Sequence, residues 1–328
     1  MSKPFIVAEL GASHNGSLEQ ALQLIEAAKW AGADGVKFQT YTTSEIAADV
    51  SIPSGPWAGR SYHELYAEGE TPWAWHEALF AHARQLGLIP FSSPFSEAAV
   101  ARLETINCPV YKIASPEIVH LPLIAAAART HKPLIISTGM ATKEEIFRAN
   151  GTAIANGAKD ITFLHCLSAY PADTADFNLC TMAALKGMGL RVGLSDHSLS
   201  LVPAMVATAM GAEVIEKHLI LSRQDGGLDA AFSLEPTEFA AMVKACRVVT
   251  ETLGDTPFKV NPSEETSLQY RRSIWVVKPV ACGEELRPEH LAILRPDYGL
   301  PPHQWNKVIG RKVMCDIKAN TPLSWNYL

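Results

Sequence analysis

The chain repeats one supersecondary theme eight times, and that repetition restricts its fold more than any other feature. Short β-branched or apolar runs alternate with Ala-rich helical stretches: FIVAEL (5–10), GVKFQT (35–40), LIPFSS (88–93), VYKIAS (110–115), PLIISTG (133–139), DITFLHC (160–166), RVGLSDH (191–197) and EVIEKHL (213–219). The segment SLEQALQLIEAAKWAG sets Leu18, Leu22, Ile25, Ala28 and Trp30 along an apolar face, with Gly32 as its stop. TPWAWHEALFAHARQLG opens on a Thr cap with Pro72 at the first helical position and ends at Gly87. Strands separated by helices pair in parallel, and eight such units in about 250 residues predict an α/β fold of the closed (β/α)8, or TIM-barrel, type. An open doubly wound sheet is the competing arrangement, but no strand here is followed by GxGxxG.

Two segments depart from the rhythm. Residues 41–71, after the second strand, carry Pro53, Gly55, Pro56 and Gly59 and then the aromatics Trp57, Tyr62 and Tyr66. So long a connection on a compact barrel is a functional element, and its aromatics predict a lid or a substrate wall. Beyond residue 254 the alternation stops. Residues 255–270 are polar and Pro-bearing, which predicts a linker, and 271–328 read as a separate domain of short strands and turns. So small a domain has little core and is expected to lean on the barrel or on a partner subunit.

Composition narrows the functional classes. The 328 residues hold 28 Lys and Arg against 34 Asp and Glu, a net charge of −6 without long single-sign blocks, which disfavours nucleic acid and anionic membranes as partners. Apolar runs such as LVPAMVATAMGA fall short of the roughly 18 residues of a membrane span. No charged flank and apolar core precede FIVAEL, so a soluble, cytoplasmic protein is expected. Cysteines 108, 166, 180, 246, 282 and 315 form no CxxC pair and are expected to be reduced thiols.

The chemistry collects at the C-terminal ends of the strands, where barrels of this kind carry their catalytic groups. There stand Glu9, Lys37, Gln39, Ser92, Ser93, Lys112, Ser115, Ser137, His165, Ser168, Ser195, Asp196, His197, Glu216, Lys217 and His218. His197 and His218 close adjacent strands, so their imidazoles can meet at one edge; two His with water and substrate oxygens suit Mn²⁺, Fe²⁺ or Zn²⁺. Lys37, Lys112, Ser115, Ser137 and Ser195 supply the charge and donors that hold a phosphate together with a carboxylate. His14 serves either catalysis or a turn, and His165, behind an apolar strand, reads as structural. At this level a sugar-phosphate aldolase or a metal-dependent hydrolase fits as well. An ice- or glycan-binding module does not need eight loaded strand ends.

The strings FIVAELGASHNGS, GADGVKFQT, FSSPF, YKIASPE, ISTGM, GLSDHS and EKHLI, in this order, resemble the sialic acid synthase family. The tail, with WVVKPVACGEEL and LRPDYGL, resembles that family's antifreeze-like or SAF domain, a β-clip fold. The resemblance implies an enzyme that condenses phosphoenolpyruvate with a 2-acetamido sugar and releases phosphate. HELYAEGETPWAWH, FSSPF and AFSLEPTEF are most similar to the pseudaminic acid branch, with the neuraminate and legionaminate branches sharing the core motifs.

Carried over by position, the resemblance makes His197 and His218 ligands of a divalent metal, Mn²⁺ foremost and Mg²⁺ or Co²⁺ as alternatives. It makes Glu9 the acid of the first strand and Asp229 an Asp near the sugar. It puts Lys37, Gln39, Ser93, Lys112, Ser115, Ser137, Ser168, Tyr170 and Ser195 around the substrates. Arg295 is implied to reach the sugar from the other subunit of a domain-swapped homodimer. Two positions depart from the family pattern: Leu167 stands where Thr is usual, with Ser168 able to compensate, and Ser13 replaces a common Asn.

Overall fold

The computed structural model describes residues 3–55, 57–254 and 257–328. Pro56 of the long excursion and the first two residues of the expected linker, Asp255 and Thr256, lie outside the described residues. The chain divides into two compact units, residues 1–255 and 256–328.

The first unit is a closed barrel of eight parallel strands in sequential order. They are β1 (Phe5–Glu9), β2 (Gly35–Thr40), β3 (Ile89–Pro94), β4 (Tyr111–Ile113), β5 (Leu134–Ser137), β6 (Ile161–Cys166), β7 (Arg191–Asp196) and β8 (Val214–His218). Closure comes from β1 against β8, in register from Phe5↔Val214 to Glu9↔His218. The strands are nearly continuous apolar runs because both faces are covered, by the barrel interior and by the helical layer. One hydrophobic core joins them, from Ile6 and Val7 through Phe91, Tyr111 and Phe163 to Ile215 and Phe239.

The helices follow local signals, with two corrections. Helix Leu18–Trp30 starts where Ser17 accepts from the Gln20 N–H, and it buries Ala21, Leu24, Ile25 and Ala28. That stripe has the i, i+3, i+4, i+7 spacing of one helix face. Trp30, expected on the apolar face, comes two residues, about 200° of helical turn, after Ala28, which sets it opposite the stripe, and it is 65% exposed. Helix Trp73–Gln85 takes Pro72 as its N-cap rather than its first turn, since the Thr71 hydroxyl is engaged by His14 instead of capping.

The excursion after β2 contains two short helices, Thr43–Ile46 and Tyr62–Gly69, both with capping boxes. Tyr41 pins it: its hydroxyl donates to the Tyr66 carbonyl at 3.1 Å, and its ring meets Tyr66 and Phe95 edge-on. Among the described residues, no helix is long and apolar enough to cross a membrane.

In the second unit, residues 262–270 of the expected linker are wound as the 3₁₀ helix Pro262–Tyr270. It leads into the antiparallel strands β9 (Ser273–Val276), β10 (Leu291–Leu294) and β11 (Thr321–Pro322), ordered β10-β9-β11. Its core is small: Ile274, Val276, Val280, Leu286, Leu291, Val308, Val313, Ile317 and Leu323.

Candidate active site

At the C-terminal mouth of the barrel, β1, β2, β4 and β8 deliver four charged side chains to one place. Side chains alternate along a strand, so Glu9 on β1, Lys37 on β2 and Glu216 on β8 turn to the same interior. Lys37 Nζ lies 3.0 Å from Glu9 Oε2 and 3.0 Å from Glu216 Oε1, and donates to Ser93 Oγ at 3.3 Å. Gln39 Nε2 donates to Glu9 Oε1 at 2.8 Å. Lys112 Nζ donates to the Ile113 carbonyl and stands 3.8 Å from Glu216 Oε1. All four charged residues are buried.

Desolvation of such ions costs several kcal/mol each unless partners compensate. For Glu216, burial works against ionisation, but Lys112 and Lys37 overcome it and hold the carboxyl down at about 2. For Lys37, burial is likewise overcome, by Glu216 and Glu9, and its pKa rises above the ordinary lysine value. Lys112 goes the other way: burial dominates, Glu216 only partly offsets it, Lys37 adds repulsion, and the pKa falls. Lys112 is therefore the under-compensated cation of the group, the one an incoming anion would complete.

Hydroxyls line the neighbouring wall. Ser115 Oγ accepts from the Gly139 N–H at 3.1 Å. A Cβ on Gly139 would fall 2.1 Å from Ser168 Oγ and 2.8 Å from Ser115 Oγ, so only glycine lets the two serines approach that backbone. Ser137 Oγ and Glu216 Oε2 are buried without a hydrogen-bond partner. Ser195 Oγ reaches Glu216 Oε1 at 3.5 Å.

Across the mouth, His197 and His218 face each other with ring centroids 5.3 Å apart. His197 Nδ1 lies 3.1 Å from the Leu167 carbonyl, and His218 Nδ1 lies 3.4 Å from Asp229 Oδ2. The Leu167 carbonyl at His197 Nδ1 leaves that ring's Nε2 lone pair free, the usual arrangement of a metal-ligating His, while His218 Nδ1 is buried without a hydrogen-bond partner and has Asp229 as its ion-pair neighbour. Asp229 also accepts from the Ala12 N–H at 2.9 Å. Burial would raise its carboxyl; the His218 imidazole and the Ala12 N–H outweigh burial and keep it below the ordinary range. Gly11 makes room for it, since a Cβ there would sit 2.3 Å from Asp229 Oδ2. Among the described residues no three His, Cys, Asp or Glu gather into a closed cage. The residues present fit a cation with two protein ligands and positions left for substrate oxygens.

The Tyr170 ring lies 4.5 Å from His197, tilted by 51°, and Phe232 contacts both Tyr170 and His218 at 5.0 Å. From this aromatic step a cavity of about 350 Å³ opens outward, lined by Trp57, Arg60, Glu68, Tyr170, Leu228 and Phe232. Trp57 comes from the long excursion, and Arg60 is paired with Glu68 at 2.6 Å.

The barrel mouth brings Glu9, Lys37, Gln39, Ser93, Lys112 and Ser195 around Glu216, with Tyr170, His197, His218 and Asp229 in mutual contact and Ser115 and Ser168 converging on Gly139, whereas Asp196 and Lys217, also expected among the strand-end chemistry, pair with each other instead. His14 falls to the turn reading: Nε2 meets Thr71 Oγ1 and Nδ1 accepts from the Gly16 N–H, each at 3.1 Å. His165 is buried against the Phe177 carbonyl. Leu167 meets His197 through its backbone carbonyl, so the side-chain departure leaves that contact intact. Ser13 Oγ is buried without a partner, while its carbonyl accepts from Gln20 Nε2. Arg295, in the second unit, is exposed.

Sequence reasoning passed over Glu117 and Cys166. Burial pushes the Glu117 carboxyl up to about 7, opposed by its own backbone N–H and by Lys112 and Lys37. Its place two residues beyond Ser115, in the 3₁₀ helix Pro116–Val119 that follows β4, is the available signal. Cys166 Sγ lies 3.9 Å from His197 Nδ1, a contact made only by tertiary structure.

Comparison with known proteins agrees with this geometry. The chain is 43% identical to the pseudaminic acid synthase of Helicobacter pylori (strain ATCC 700392 / 26695), over 99% of this chain and 97% of that protein. It is 39% identical to the pseudaminic acid synthase of Campylobacter jejuni subsp. jejuni serotype O:2, over 98% and 95%. Among solved structures, the N-acetylneuraminic acid (sialic acid) synthetase of Leptospira borgpetersenii superposes with a TM-score of 0.74 at 31% identity, covering 82% of this chain and 92% of that one. The SAF domain model matches residues 271–328 and the NeuB family model residues 24–257. With most of its length matched and its barrel mouth so furnished, the chain belongs to the NeuB family.

Proposed function

We propose that this protein is a pseudaminic acid synthase, condensing phosphoenolpyruvate with 2,4-diacetamido-2,4,6-trideoxy-L-altrose and water to give pseudaminic acid and phosphate. The observation that carries the reading is end-to-end similarity to two pseudaminic acid synthases in a chain whose barrel mouth pairs an anion site with a two-histidine site. Lys112 and Lys37, with the hydroxyls of Ser93, Ser115, Ser137, Ser168 and Ser195, bind the phosphate and carboxylate of phosphoenolpyruvate. Asp229, Gln39 and Tyr170 orient the open-chain sugar. His197 and His218 hold a divalent cation, Mn²⁺ foremost, which when bound supplies Lewis-acid polarisation of the sugar aldehyde.

Carbon 3 of phosphoenolpyruvate then forms the new C–C bond to the aldehyde carbon, whose oxygen takes the carbonyl π pair and a proton to become a hydroxyl, and positive charge develops at carbon 2 of phosphoenolpyruvate. Glu9 and Glu216 supply negative charge to offset it. Water adds at carbon 2 and gives up a proton. Glu117, held at about 7, has the pKa suited to accept it at neutral pH. The hydroxyl on carbon 2 then gives up its proton to form the keto group as the C–O bond to the phosphate breaks, and the bridging oxygen leaves with the phosphate, which takes that proton.

The cavity walled by Trp57, Leu228 and Phe232 suits a sugar with two acetyl methyls and a deoxygenated carbon 6. We read Arg295 as completing the sugar site from the partner of a domain-swapped homodimer; its exposure and the small core of its domain support this. Six free cysteines suit a reducing cytoplasm.

Phosphate release measured against a panel of acetamido sugars tests the assignment. Release is expected only with both substrates present, and fastest with the 2,4-diacetamido altrose. Faster turnover of N-acetylmannosamine or of the legionaminate precursor would move the protein to another branch. Release from phosphoenolpyruvate alone would overturn the synthase reading.

A further inference from the structure

Behind the two imidazoles lies an ion pair that the chemistry above does not use. Asp196 and Lys217 each precede one of the two histidines, and they are Cα partners across the parallel β7–β8 pairing. Alternation along a strand turns their side chains to the outer face of the barrel wall, opposite to Ser195 and Glu216. Lys217 Nζ donates to Asp196 Oδ2 at 2.6 Å, and both side chains are fully shielded from solvent. The same ammonium donates to Ser198 Oγ at 3.3 Å and to the Ser200 carbonyl at 3.0 Å. Asp196 Oδ1 accepts from the Ser198 N–H at 2.8 Å. All three ammonium protons therefore have acceptors, and the turn that leaves β7 through His197 is wound around a cation carried by β8.

Stability alone is a poor reason for such a pair. Burying two ions costs several kcal/mol each, and well-packed apolar replacements of buried pairs are often neutral or stabilising. What the pair provides that apolar packing does not is direction: three oriented hydrogen bonds fix the His197 turn relative to the strand that ends in His218. We propose that Lys217 and Asp196 are positioning residues that set the spacing and orientation of His197 against His218, and through them the affinity for the divalent cation. This rests on His197 and His218 being the cation's ligands.

The test titrates metal-stripped, full-length protein with Mn²⁺ alone by calorimetry, beside thermal unfolding. The double substitution Asp196→Leu with Lys217→Met removes both charges together, so no buried ion is left unpaired. It is expected to fold with a wild-type or higher melting temperature, to weaken Mn²⁺ binding about 10- to 100-fold, and to leave phosphoenolpyruvate binding unchanged. A folded double variant with wild-type Mn²⁺ affinity would overturn the proposal. Ser198→Ala, which removes one acceptor of the ammonium, is expected to fold and to weaken Mn²⁺ binding to a smaller degree. Should the double variant fail to fold, wild-type affinity in Ser198→Ala overturns the proposal equally. His197→Ala and His218→Ala separate the two readings: if neither weakens Mn²⁺ binding, the ligand assignment itself fails.

Discussion

Glu117 shows what a single residue contributes that its neighbours in sequence do not announce. Its carboxyl is buried with Oε2 unpartnered, and burial lifts its pKa from 4.5 to about 7. Between those two values the folded protein holds a proton that the unfolded chain has lost, so stability falls as pH rises through that window. At about 1.4 kcal/mol per pH unit, ionising this carboxyl costs about 3 kcal/mol by pH 8. Glu117→Gln should therefore match the wild type at pH 4 and become the more stable protein by up to that amount at pH 8, in urea unfolding across the range. A difference independent of pH would contradict the buried-acid assignment. Other single residues were legible in advance. Lys37, Lys112, His197 and His218 stood out because a polar side chain at the end of an apolar strand has few reasons to be there. Glu117 has only its place just beyond Ser115 to mark it, and Cys166 has none, because what sets them apart is made by tertiary structure: burial for Glu117, with Lys37 from a distant strand, and the His197 imidazole for Cys166.

At the scale of elements, all eight strands could be read because each is a short apolar run bounded by Gly, Pro or a helix cap. The helical faces were less certain. Hydrophobicity alone places Trp30 on the apolar face, but the stripe of Ala21, Leu24, Ile25 and Ala28 decides which side packs. The sequence pattern makes Thr71 a helix cap, but His14 claims its hydroxyl across the fold. The long excursion after β2 was read as a wall from its aromatics, and one of them, Trp57, lies 6.3 Å from Tyr170 at the edge of the mouth. If the excursion binds the sugar, Trp57→Ala should forfeit on the order of 2 kcal/mol of apolar contact, raising KM for the sugar by about 30-fold. KM for phosphoenolpyruvate should stay near wild type. An unchanged sugar KM would show the excursion to be scaffold.

At the scale of the whole molecule, the alternation of strands and helices specified the closed barrel, and the barrel then explains why side chains from eight distant segments share one mouth. At this scale the proposal is that Arg295 completes the partner's barrel in a domain-swapped homodimer. Coexpression of Glu9→Ala chains with Arg295→Ala chains addresses this. In a swapped heterodimer one site carries both lesions and the other joins an intact barrel to an intact Arg295. With equal random mixing about half of the dimers are heterodimers, so roughly a quarter of all sites should regain wild-type activity. Confirmed heterodimers no more active than either mutant would reject the swap. The claim on which everything else depends is that this mouth makes a C–C bond while cleaving the C–O bond of phosphoenolpyruvate. Phosphoenolpyruvate labelled with ¹⁸O at the bridging position, turned over with the diacetamido sugar, tests it by mass spectrometry of the released phosphate. The phosphate is expected to keep the label; unlabelled phosphate, with ¹⁸O retained on the organic product, would mean P–O cleavage and overturn the proposed reaction.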